Sequence, residues 1–460
     1  MNYTDEYGRE YVLLKQVAPP GGQGVVCRTE DPDTAVKLEL ENGQPVKDPS
    51  RNDRYKRLRR LPVPFGLHIT MPQVVLREYA GYVMRLLDDM IPFSQAFEKM
   101  PAGAEPNGWI VSTFEDQALR DIYTLYLTTG GARRRLEAYL QAADISAKLH
   151  GAGLVYCDYS ENNLFVSSGL NDVTVWLIDA DNLCYRSELR GGAYTESCCA
   201  PEAPLGKLGF YSDCYAFAVL LYSHLMMIHP FHGPDYFNSD FGAGQTADER
   251  LAHGEFAWIC DPEDQSNQYQ GPVPGELVMG EELLGLFQRT FSALGRRKPA
   301  SRPSMMEWVE VLAKQLDRMV RCPNCGLDYS AGGGCCPWCG DTVPLLRVRS
   351  HYSRSGARDA AAWESVREWG AGPVALPLRA VTGDSADGGG DTAFVVEMLE
   401  DGFWLSRLNA GLRFFLAEGE SKRQISGAME WKEPRMELFV SDMERRMEYI
   451  VEVERLDGTE

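Results

Sequence analysis

The sequence predicts an α+β protein in which a β-rich segment is followed by a longer helical one, a short cysteine-rich one and a final, mostly β one. Short apolar runs of strand length, such as TAVKLEL and AGYVMRLL, occupy the chain to about residue 90. From about residue 114 to 320, apolar residues recur at three- and four-residue steps, which is typical of amphipathic helices. Beyond the cysteines, strand-like runs return, separated by turn signals.

These changes of pattern predict four domains, because 460 residues are too many for one ordinary core. Stretches rich in Gly, Pro and Asp, such as PAGAEPNG and DPEDQSNQYQGPVPGE, are predicted to be surface insertions. The predicted domains are residues 1–90, 91–320, 321–343 and 344–460.

The net charge and the apolar runs of the sequence indicate which partners and which cellular compartment to expect. A net charge of -20 and a pI near 4.9 argue against nucleic acid or an anionic membrane as the main partner. The longest apolar run, AFAVLLYSHLMMI, has 13 residues and predicts a buried helix, since it is too short to cross a bilayer. The first residues lack the pattern of a secretion signal, so we expect a cytoplasmic protein whose twelve cysteines are thiols or metal ligands.

Three oxygen-bearing side chains are predicted to meet beside a hairpin. Asp158 and Asn163 lie in LVYCDYSENNLFV, and Asp179 closes the predicted strand in VWLIDADN, about twenty residues after Asp158. Two strands around a short turn would bring the three residues to the same end of the hairpin, where their oxygens suit a hard cation such as magnesium. A plain turn also accounts for Asp, Ser and Asn at these positions.

A glycine-rich turn and a lysine precede this group. PPGGQGVV lies between two predicted strands, and TAVKLEL places Lys37 on the second of them, facing away from Val36 and Leu38. Glycines let backbone amides approach phosphate oxygens, and one ammonium adds a point charge. A tight hairpin with a surface lysine is the alternative.

In order and spacing, these features resemble the eukaryotic-type protein kinase family over about residues 10 to 318. The resemblance implies a bilobal kinase fold with a β-rich N-lobe (1–90) and a helical C-lobe (91–320). It implies that Asp158 is the catalytic base, that Lys37 holds the ATP phosphates and that Asn163 and Asp179 bind magnesium. The implied nucleotide-binding residues are Gly21, Gly22, Gly24, Lys37 and Met84.

Further matches lie in the helical segment. Ala200, Pro201 and Glu202 form an intact Ala-Pro-Glu signature, and Asp213 matches the acid that opens the long buried helix of the family. Arg302 matches the arginine that pairs with the signature glutamate. We therefore expect a buried Glu202–Arg302 ion pair that braces the helical lobe.

The resemblance predicts ATP- and magnesium-dependent phosphoryl transfer to Ser or Thr hydroxyls of a protein substrate. Thr195 supports this substrate class, because it matches the threonine that serine/threonine kinases place against the catalytic aspartate. A pseudokinase that binds ATP without transfer is one alternative. A small-molecule phosphotransferase of the same core fold is another, although the Ala-Pro-Glu signature, Asp213 and Arg302 argue against it.

The chain also departs from the family pattern. Cys157 stands where the family has an arginine that receives an activation-loop phosphate, so we expect activity without that phosphate. Ser160 replaces a lysine, which predicts weaker charge stabilisation, and Pro19 replaces the first loop glycine. RNDRYKRLRRL contains no Glu to pair with Lys37. The candidates for that partner, in order of preference, are Asp53, then Asp48, Glu39 and Glu41.

The cysteine-rich segment predicts a structural zinc ribbon. CPNC and CPWC form two C-x2-C pairs separated by ten residues, and four thiolates suit tetrahedral zinc without an open position. Cys335 is an alternative to its neighbour Cys336, and redox pairs or buried thiols are the alternatives to zinc. The predicted ligands are Cys322, Cys325, Cys336 and Cys339.

Several runs, among them VYCDYSENNLFV, HPFHG and RPSMMEW, together with the adjoining ribbon, resemble one branch of bacterial kinases. Kinases of this branch are similar to those that accompany a metal-dependent protein phosphatase and a von Willebrand A-type protein in tellurite-resistance-like stress systems. The resemblance implies those two proteins as partners. Residues 344–460 are predicted to form a small β-sandwich or barrel that either binds a partner or caps the kinase.

Overall fold

The computed structural model shows a mixed α+β chain with a sheet-rich C-terminal region. It describes residues 2–17, 24–189, 194–239, 246–332, 335–354, 357–368, 372–385, 387, 391–399, 402–418 and 421–456. Among these residues, short 3-10 turns lie at Pro49–Asn52, Ala180–Asn182, Arg186–Glu188 and Pro299–Ser301. The helices of the described residues are α1 Asp53–Leu58, α2 Phe93–Glu98, α3 Gly108–Thr113, α4 Gln117–Thr128, α5 Gly131–Gly151, α6 Phe210–Met226, α7 Pro234–Phe237, α8 Ala247–Ala252, α9 Gly275–Val278, α10 Glu281–Phe291, α11 Ala293–Arg297, α12 Met305–Asp317 and α13 Arg379–Thr382.

Most of the strands are short. Those of the first half are β1 Asn2–Thr4, β2 Glu10–Gln16, β3 Val25–Thr29, β4 Thr34–Leu38, β5 Leu40–Glu41, β6 Gln44–Pro45, β7 Val74–Val75, β8 Gly81–Arg85, β9 Met90–Pro92, β10 Leu154–Val155, β11 Leu164–Ser167, β12 Val175–Leu177 and β13 Cys184–Tyr185. Those of the second half are β14 Met319–Arg321, β15 Asp328–Ser330, β16 Leu345–Arg354, β17 Ala357–Glu368, β18 Val374–Pro377, β19 Thr392–Leu399, β20 Gly402–Ser406, β21 Leu412–Glu418, β22 Ser421–Ile425, β23 Met429–Trp431, β24 Arg435–Asp442 and β25 Met447–Leu456.

The chain divides into two compact units. Unit one comprises residues 1–100, 138–272 and 286–308, and unit two comprises residues 101–137, 273–285 and 309–460. The four predicted domains stay a prediction; residues on both sides of the predicted boundaries at 320/321 and 343/344 belong to unit two. The contacts of Arg133 show why, because it donates to the backbone oxygen of Met319 (2.6 Å) and pairs with Glu368 (2.8 Å).

Unit one begins with a six-stranded sheet of order β1-β2-β3-β4-β8-β7. Strand β4 lies between β3 and β8, and its antiparallel register sets Lys37 opposite Tyr82. Tyr11, Val25, Val36 and Leu38 contribute to the buried core of this sheet. The other main element is α6, which is buried over most of its length, as its apolar sequence predicts.

Unit two contains the C-terminal sheets. The larger has six strands in the order β17-β16-β25-β24-β21-β22, and the smaller has four in the order β18-β19-β20-β23. Apolar side chains of both sheets and of α13 form one buried core that includes Val348, Phe394, Phe403, Leu438 and Val451. Two sheets that share one core are the arrangement of a β-sandwich.

A buried carboxylate organises one end of unit two. Asp317, the last residue of α12, accepts hydrogen bonds from Arg379 Nε (2.7 Å), Arg367 Nη2 (2.7 Å) and Trp363 Nε1 (2.7 Å). Burial alone would raise the pKa of Asp317, but the hydrogen bond from Arg379 and the charges of Arg367 and Arg379 outweigh it and hold this pKa below its ordinary value. The end of α12 is thus tied to β17 and α13.

We expect Asp317→Asn to lower the free energy of unfolding by about 3–5 kcal/mol at pH 7, because it leaves the buried guanidinium of Arg379 and the partly buried one of Arg367 without their carboxylate. Because the pKa of Asp317 is lower in the folded than in the unfolded state, its ionised carboxylate stabilises the fold, and this contribution is complete above the unfolded-state pKa of about 3.9. The contribution is lost as the pH falls through the lower folded-state pKa. The difference between wild type and variant should therefore shrink below about pH 4. Urea unfolding, followed by tryptophan fluorescence at several pH values, measures this difference in the free energy of unfolding.

The exposed Glu433 offers a matched control, since Glu433→Gln removes a carboxylate that is not buried. Its unfolding free energy should stay within about 0.5 kcal/mol of the wild type. If Asp317→Asn behaved like this control, the buried cluster would contribute nothing to the stability of unit two.

Candidate functional site

Lys37 lies at the centre of a buried polar cluster in unit one. Its side chain projects from β4 on the face opposite to Val36 and Leu38, as strand alternation predicts. The Nζ atom donates to Asp179 Oδ1 (2.6 Å) and to Asp181 Oδ2 (2.9 Å). Burial lowers the pKa of Lys37, but the charges of Asp181 and Asp179 outweigh it, so that the pKa lies above its ordinary value. The ammonium therefore stays charged at neutral pH.

The two aspartates that meet Lys37 lie just after β12. Asp179 has a left-handed backbone (φ 56°), and a single 3-10 turn follows at Ala180–Asn182. Asp179 keeps 24% of its side chain exposed, whereas Asp181 keeps 1%. The sequence predicted a role for Asp179 but missed Asp181, although the repeat of Asp in DAD was a visible signal.

Asp158 lies in the loop after β10, close to the same aspartates. Its carboxylate accepts from Asn182 Nδ2 (3.4 Å), and Thr195 Oγ1 lies 3.5 Å from its Oδ1. Burial and the negative charge of Asp179 raise the pKa of Asp158 above its ordinary value. The carboxylate of Asp179 is therefore close enough to act on the ionisation of Asp158.

Asn163 joins the two loops. Its side-chain amide donates to the backbone oxygen of Asp158 (2.9 Å), and its own backbone oxygen accepts from the N–H of Ile178 (3.0 Å). The first bond fixes the shape of the Asp158 loop, and the second holds it beside the residue before Asp179. The structure thus brings together the four side chains that the sequence singled out.

The backbone of the Asp158 loop is braced from α6. Asp213, which is buried, accepts hydrogen bonds from the N–H groups of Tyr156 (2.9 Å) and Cys157 (2.9 Å) and from His150 Nε2 (3.0 Å). Cys157 has φ 71°, a conformation that a non-glycine residue adopts only when its surroundings stabilise it. The sequence identified Asp213 as a match to the family but did not predict this contact.

The predicted partner of Lys37 on the first helix is wrong. Asp53 is exposed and pairs with Lys56 (3.1 Å). The reason is geometric, because α1 turns Tyr55 and Leu58 inward, and a residue two positions before Tyr55 points to the other side of the helix. Of the other candidates, Asp48 binds Ser50 (2.7 Å), Glu39 binds Tyr55 (2.9 Å) and Arg54 (3.0 Å), and Glu41 binds Arg51 (3.3 Å).

The predicted nucleotide-binding residues are only partly described. Gly21, Gly22 and Pro19 lie outside the described residues. Gly24 has φ 144°, and a Cβ there would lie 2.1 Å from the backbone oxygen of Leu38. The close approach of β4 therefore explains this glycine without a phosphate. Met84 lies half-buried on β8, opposite Ala35 of β4.

The expected Glu202–Arg302 ion pair is present and buried in unit one. Both guanidinium Nη atoms donate to the carboxylate (2.7 and 2.8 Å), and Arg302 also donates to the backbone oxygens of Gly295 (2.7 Å) and Tyr211 (3.0 Å). Ser212 donates to the same carboxylate (2.8 Å). Both charges are thus hydrogen-bonded, which is what a buried pair requires to be stable.

Four cysteines of unit two form a second candidate site. The Sγ atoms of Cys322, Cys325, Cys336 and Cys339 all lie within 4.8 Å of one another. Cys322 and Cys339 are 3.7 Å apart, as are Cys325 and Cys336, too far for a disulfide of about 2.05 Å. A tetrahedral zinc with bonds of about 2.3 Å sets neighbouring sulfurs about 3.8 Å apart. This group could therefore hold a metal ion such as zinc.

The two cysteine pairs have the same local geometry. In each, the N–H of a following glycine donates to the oxygen of the first cysteine: Gly326 to Cys322 (2.9 Å) and Gly340 to Cys336 (2.8 Å). Both glycines have positive φ, 78° and 75°, which few other residues adopt. Cys335 is exposed and lies outside the group, so the structure favours Cys336 over the alternative ligand.

Comparison with known proteins adds no assignment. The chain matches no protein-family model and no curated protein sequence. Across the parts of the chain that the structure describes, every helix is too short or too polar to cross a bilayer. The resemblance to protein kinases therefore remains a prediction from sequence motifs.

Proposed function

We propose that the protein is a serine/threonine protein kinase, with its kinase lobes in residues 1–320, that transfers the terminal phosphate of ATP in a magnesium-dependent reaction. One observation carries the proposal: Lys37 and Asp179 form an ion pair (2.6 Å) beside Asp158, although they are 142 residues apart in sequence. A phosphoryl-transfer site needs one cation for phosphates, oxygen ligands for a metal and one carboxylate for the attacking hydroxyl. This cluster contains all three.

The side chains have the following proposed roles. Lys37 binds phosphate oxygens, and Asn163 and Asp179 hold magnesium, which when bound neutralises charge on the phosphates. Asp158 orients the substrate hydroxyl and accepts its proton, and Asn163 fixes the Asp158 loop through the backbone oxygen of that residue. The negative charge of Asp179 raises the pKa of Asp158, so the two carboxylates lie near each other. Two neighbouring carboxylates suit a divalent cation, which supports the proposed magnesium site.

Two contacts favour a protein substrate with a Ser or Thr hydroxyl. Thr195 lies against Asp158 (3.5 Å), as the resemblance implies for serine/threonine kinases. Glu202 and Arg302 brace the segment after Thr195, which the resemblance associates with peptide docking. We propose a metal-dependent protein phosphatase and a von Willebrand A-type protein as partners, and residues 344–460 as a partner-binding domain.

A pseudokinase is the second candidate function, and one observation favours it. Both Asp179 and Asp181 bind Lys37, so the cation and the proposed metal ligand satisfy each other. A protein with this arrangement needs only to bind nucleotide to act as a scaffold. Binding without transfer would establish this alternative.

Incubation of the purified chain with labelled ATP, magnesium and separate pools of proteins and small metabolites tests the proposal. We expect label in Ser or Thr of a protein and none without magnesium. Label in a metabolite alone would establish a small-molecule phosphotransferase. Nucleotide binding without label in either pool would contradict the kinase proposal.

A structural role is proposed for the four-cysteine group. Four cysteine ligands leave no open position on a tetrahedral zinc, so the ion would hold the two turns together without a catalytic part. Asn107 donates to the backbone oxygen of Cys325 (3.0 Å), and Trp338 Nε1 donates to the backbone oxygen of Asp328 (3.0 Å). These contacts attach the two turns to the rest of unit two.

A further inference from the structure

Asp181 is the most completely buried acid around Lys37. Its Oδ2 atom accepts from Lys37 Nζ (2.9 Å), and its Oδ1 atom accepts from the hydroxyl of Tyr82 (2.8 Å). Both carboxylate oxygens are therefore used, and the side chain is 1% exposed. A carboxylate in such surroundings is stable only while its cation is present.

The sheet supports this contact. Lys37 and Tyr82 are directly opposite each other on β4 and β8, so their side chains lie on the same face. The ring of Tyr82 packs against that of Tyr55, 4.6 Å between centroids. Tyr55 is one of the inward-facing residues of α1, and its hydroxyl donates to Glu39 (2.9 Å). The side of the cluster that faces α1 is thus closed by aromatic rings, and the acid for Lys37 comes from the segment after β12.

Asp179 and Asp181 are not equivalent. Asp179 is 24% exposed, which leaves it accessible to a ligand, whereas Asp181 has both oxygens bound and almost no exposure. The other ionisable groups around Asp181 are Tyr55 and Arg54 from α1 and Tyr82 from β8. Lys37 is the cation that contacts it directly.

We propose that Asp181 is a positioning residue that holds the Lys37 ammonium in place for the reaction, an inference that rests on the proposed function. Asp181 thus has the role of acidic partner of Lys37 that the sequence analysis assigned to Asp53. One consequence is that two neighbouring residues have separate tasks: Asp179 holds the metal and Asp181 orients the cation. The cation and the metal ligand are then fixed by a single short turn.

A double-mutant cycle between Asp181→Asn and Lys37→Met tests the proposal. With a protein acceptor, Asp181→Asn should lower kcat/KM for ATP by about 10²-fold, because a misplaced binding group costs that much. In the Lys37→Met background the same change should have almost no further effect, since it acts through the lysine. Asp53→Asn, which removes an exposed acid of α1, should leave kcat/KM within about twofold of the wild type.

Thermal unfolding of the same variants provides a readout that is independent of activity. In the wild type, Asp181→Asn should lower the melting temperature, because it leaves the buried ammonium with one carboxylate less. In the Lys37→Met background it should raise the melting temperature, because it removes a buried and unpaired charge. If Asp181 had only a structural role, Asp181→Asn would lower the melting temperature in both backgrounds. It would also lower kcat/KM further in the Lys37→Met background.

The outcomes separate this inference from the proposed function. No phosphoryl transfer by the wild type would overturn the proposed function, and the unfolding cycle would still decide whether Asp181 and Lys37 depend on each other. Transfer by the wild type with equal kcat/KM for Asp181→Asn would overturn the positioning role alone.

If Asp181→Asn does not fold, Tyr82→Phe is the alternative variant, because it removes only the hydroxyl that donates to the Asp181 carboxylate. It should give a smaller loss in the same direction, and no loss in the Lys37→Met background.

Discussion

Replacement of Asp158 by Asn is expected to lower the rate of ATP-dependent phosphate incorporation by about 10²–10⁴-fold, the usual cost of losing a positioned base. The side chain keeps its shape, so the neighbouring contacts with Asn182 and Thr195 can persist, but it can no longer accept a proton. The rate is measured under single-turnover conditions with the wild type and the variant at the same protein concentration.

Asp172 provides a control for this measurement, because it is an exposed aspartate on the turn between β11 and β12. Asp172→Asn should incorporate phosphate at the wild-type rate. Equal incorporation by the Asp158→Asn variant would point to a contaminating kinase and would remove the support for Asp158 as the base.

Removal of zinc from the proposed four-cysteine site is expected to unfold the cysteine-rich segment. Structural zinc sites of this kind contribute on the order of 10–16 kcal/mol, and the Gly-rich turns have little apolar surface of their own to bury. The purified chain should contain one zinc per molecule by elemental analysis. After treatment with a strong chelator, residues 322–340 should become accessible to protease.

The adjacent cysteines 335 and 336 offer a matched pair of variants. Cys336→Ser removes one of the four grouped thiols and should release zinc, whereas Cys335→Ser changes an exposed thiol outside the group and should retain it. Less than half an equivalent of zinc in the wild type, or equal zinc content in both variants, would contradict a structural zinc site.

The sequence carried enough information to bring the four side chains of the candidate site together. Lys37 is predicted by strand alternation, and Asp158, Asn163 and Asp179 by their positions at the ends of apolar runs. The cysteine spacing likewise predicted a four-thiol group. Each short motif predicts the direction of its own side chains, whereas the meeting of Lys37 with Asp179, 142 residues away, was implied only by the resemblance to protein kinases.

What the sequence did not predict depends on long-range packing. The second Asp of DAD is visible in the sequence, but its contact with Lys37, 144 residues away, depends on how β4 packs against the turn after β12. Asp317 meets Arg367 and Arg379, which are 50 and 62 residues away. The error at Asp53 has the same origin, since the inward face of a six-residue helix is set by the surface on which it packs.

The bond between Asp213 and the loop of Asp158 has a consequence for the mobility of unit one. The loop residue with the least favourable backbone, Cys157, is attached to a helix that is buried over most of its length. Buried helices are among the last elements to open in a native protein. The loop that carries Asp158 is therefore anchored to a buried helix, and we expect it to open no more readily than that helix.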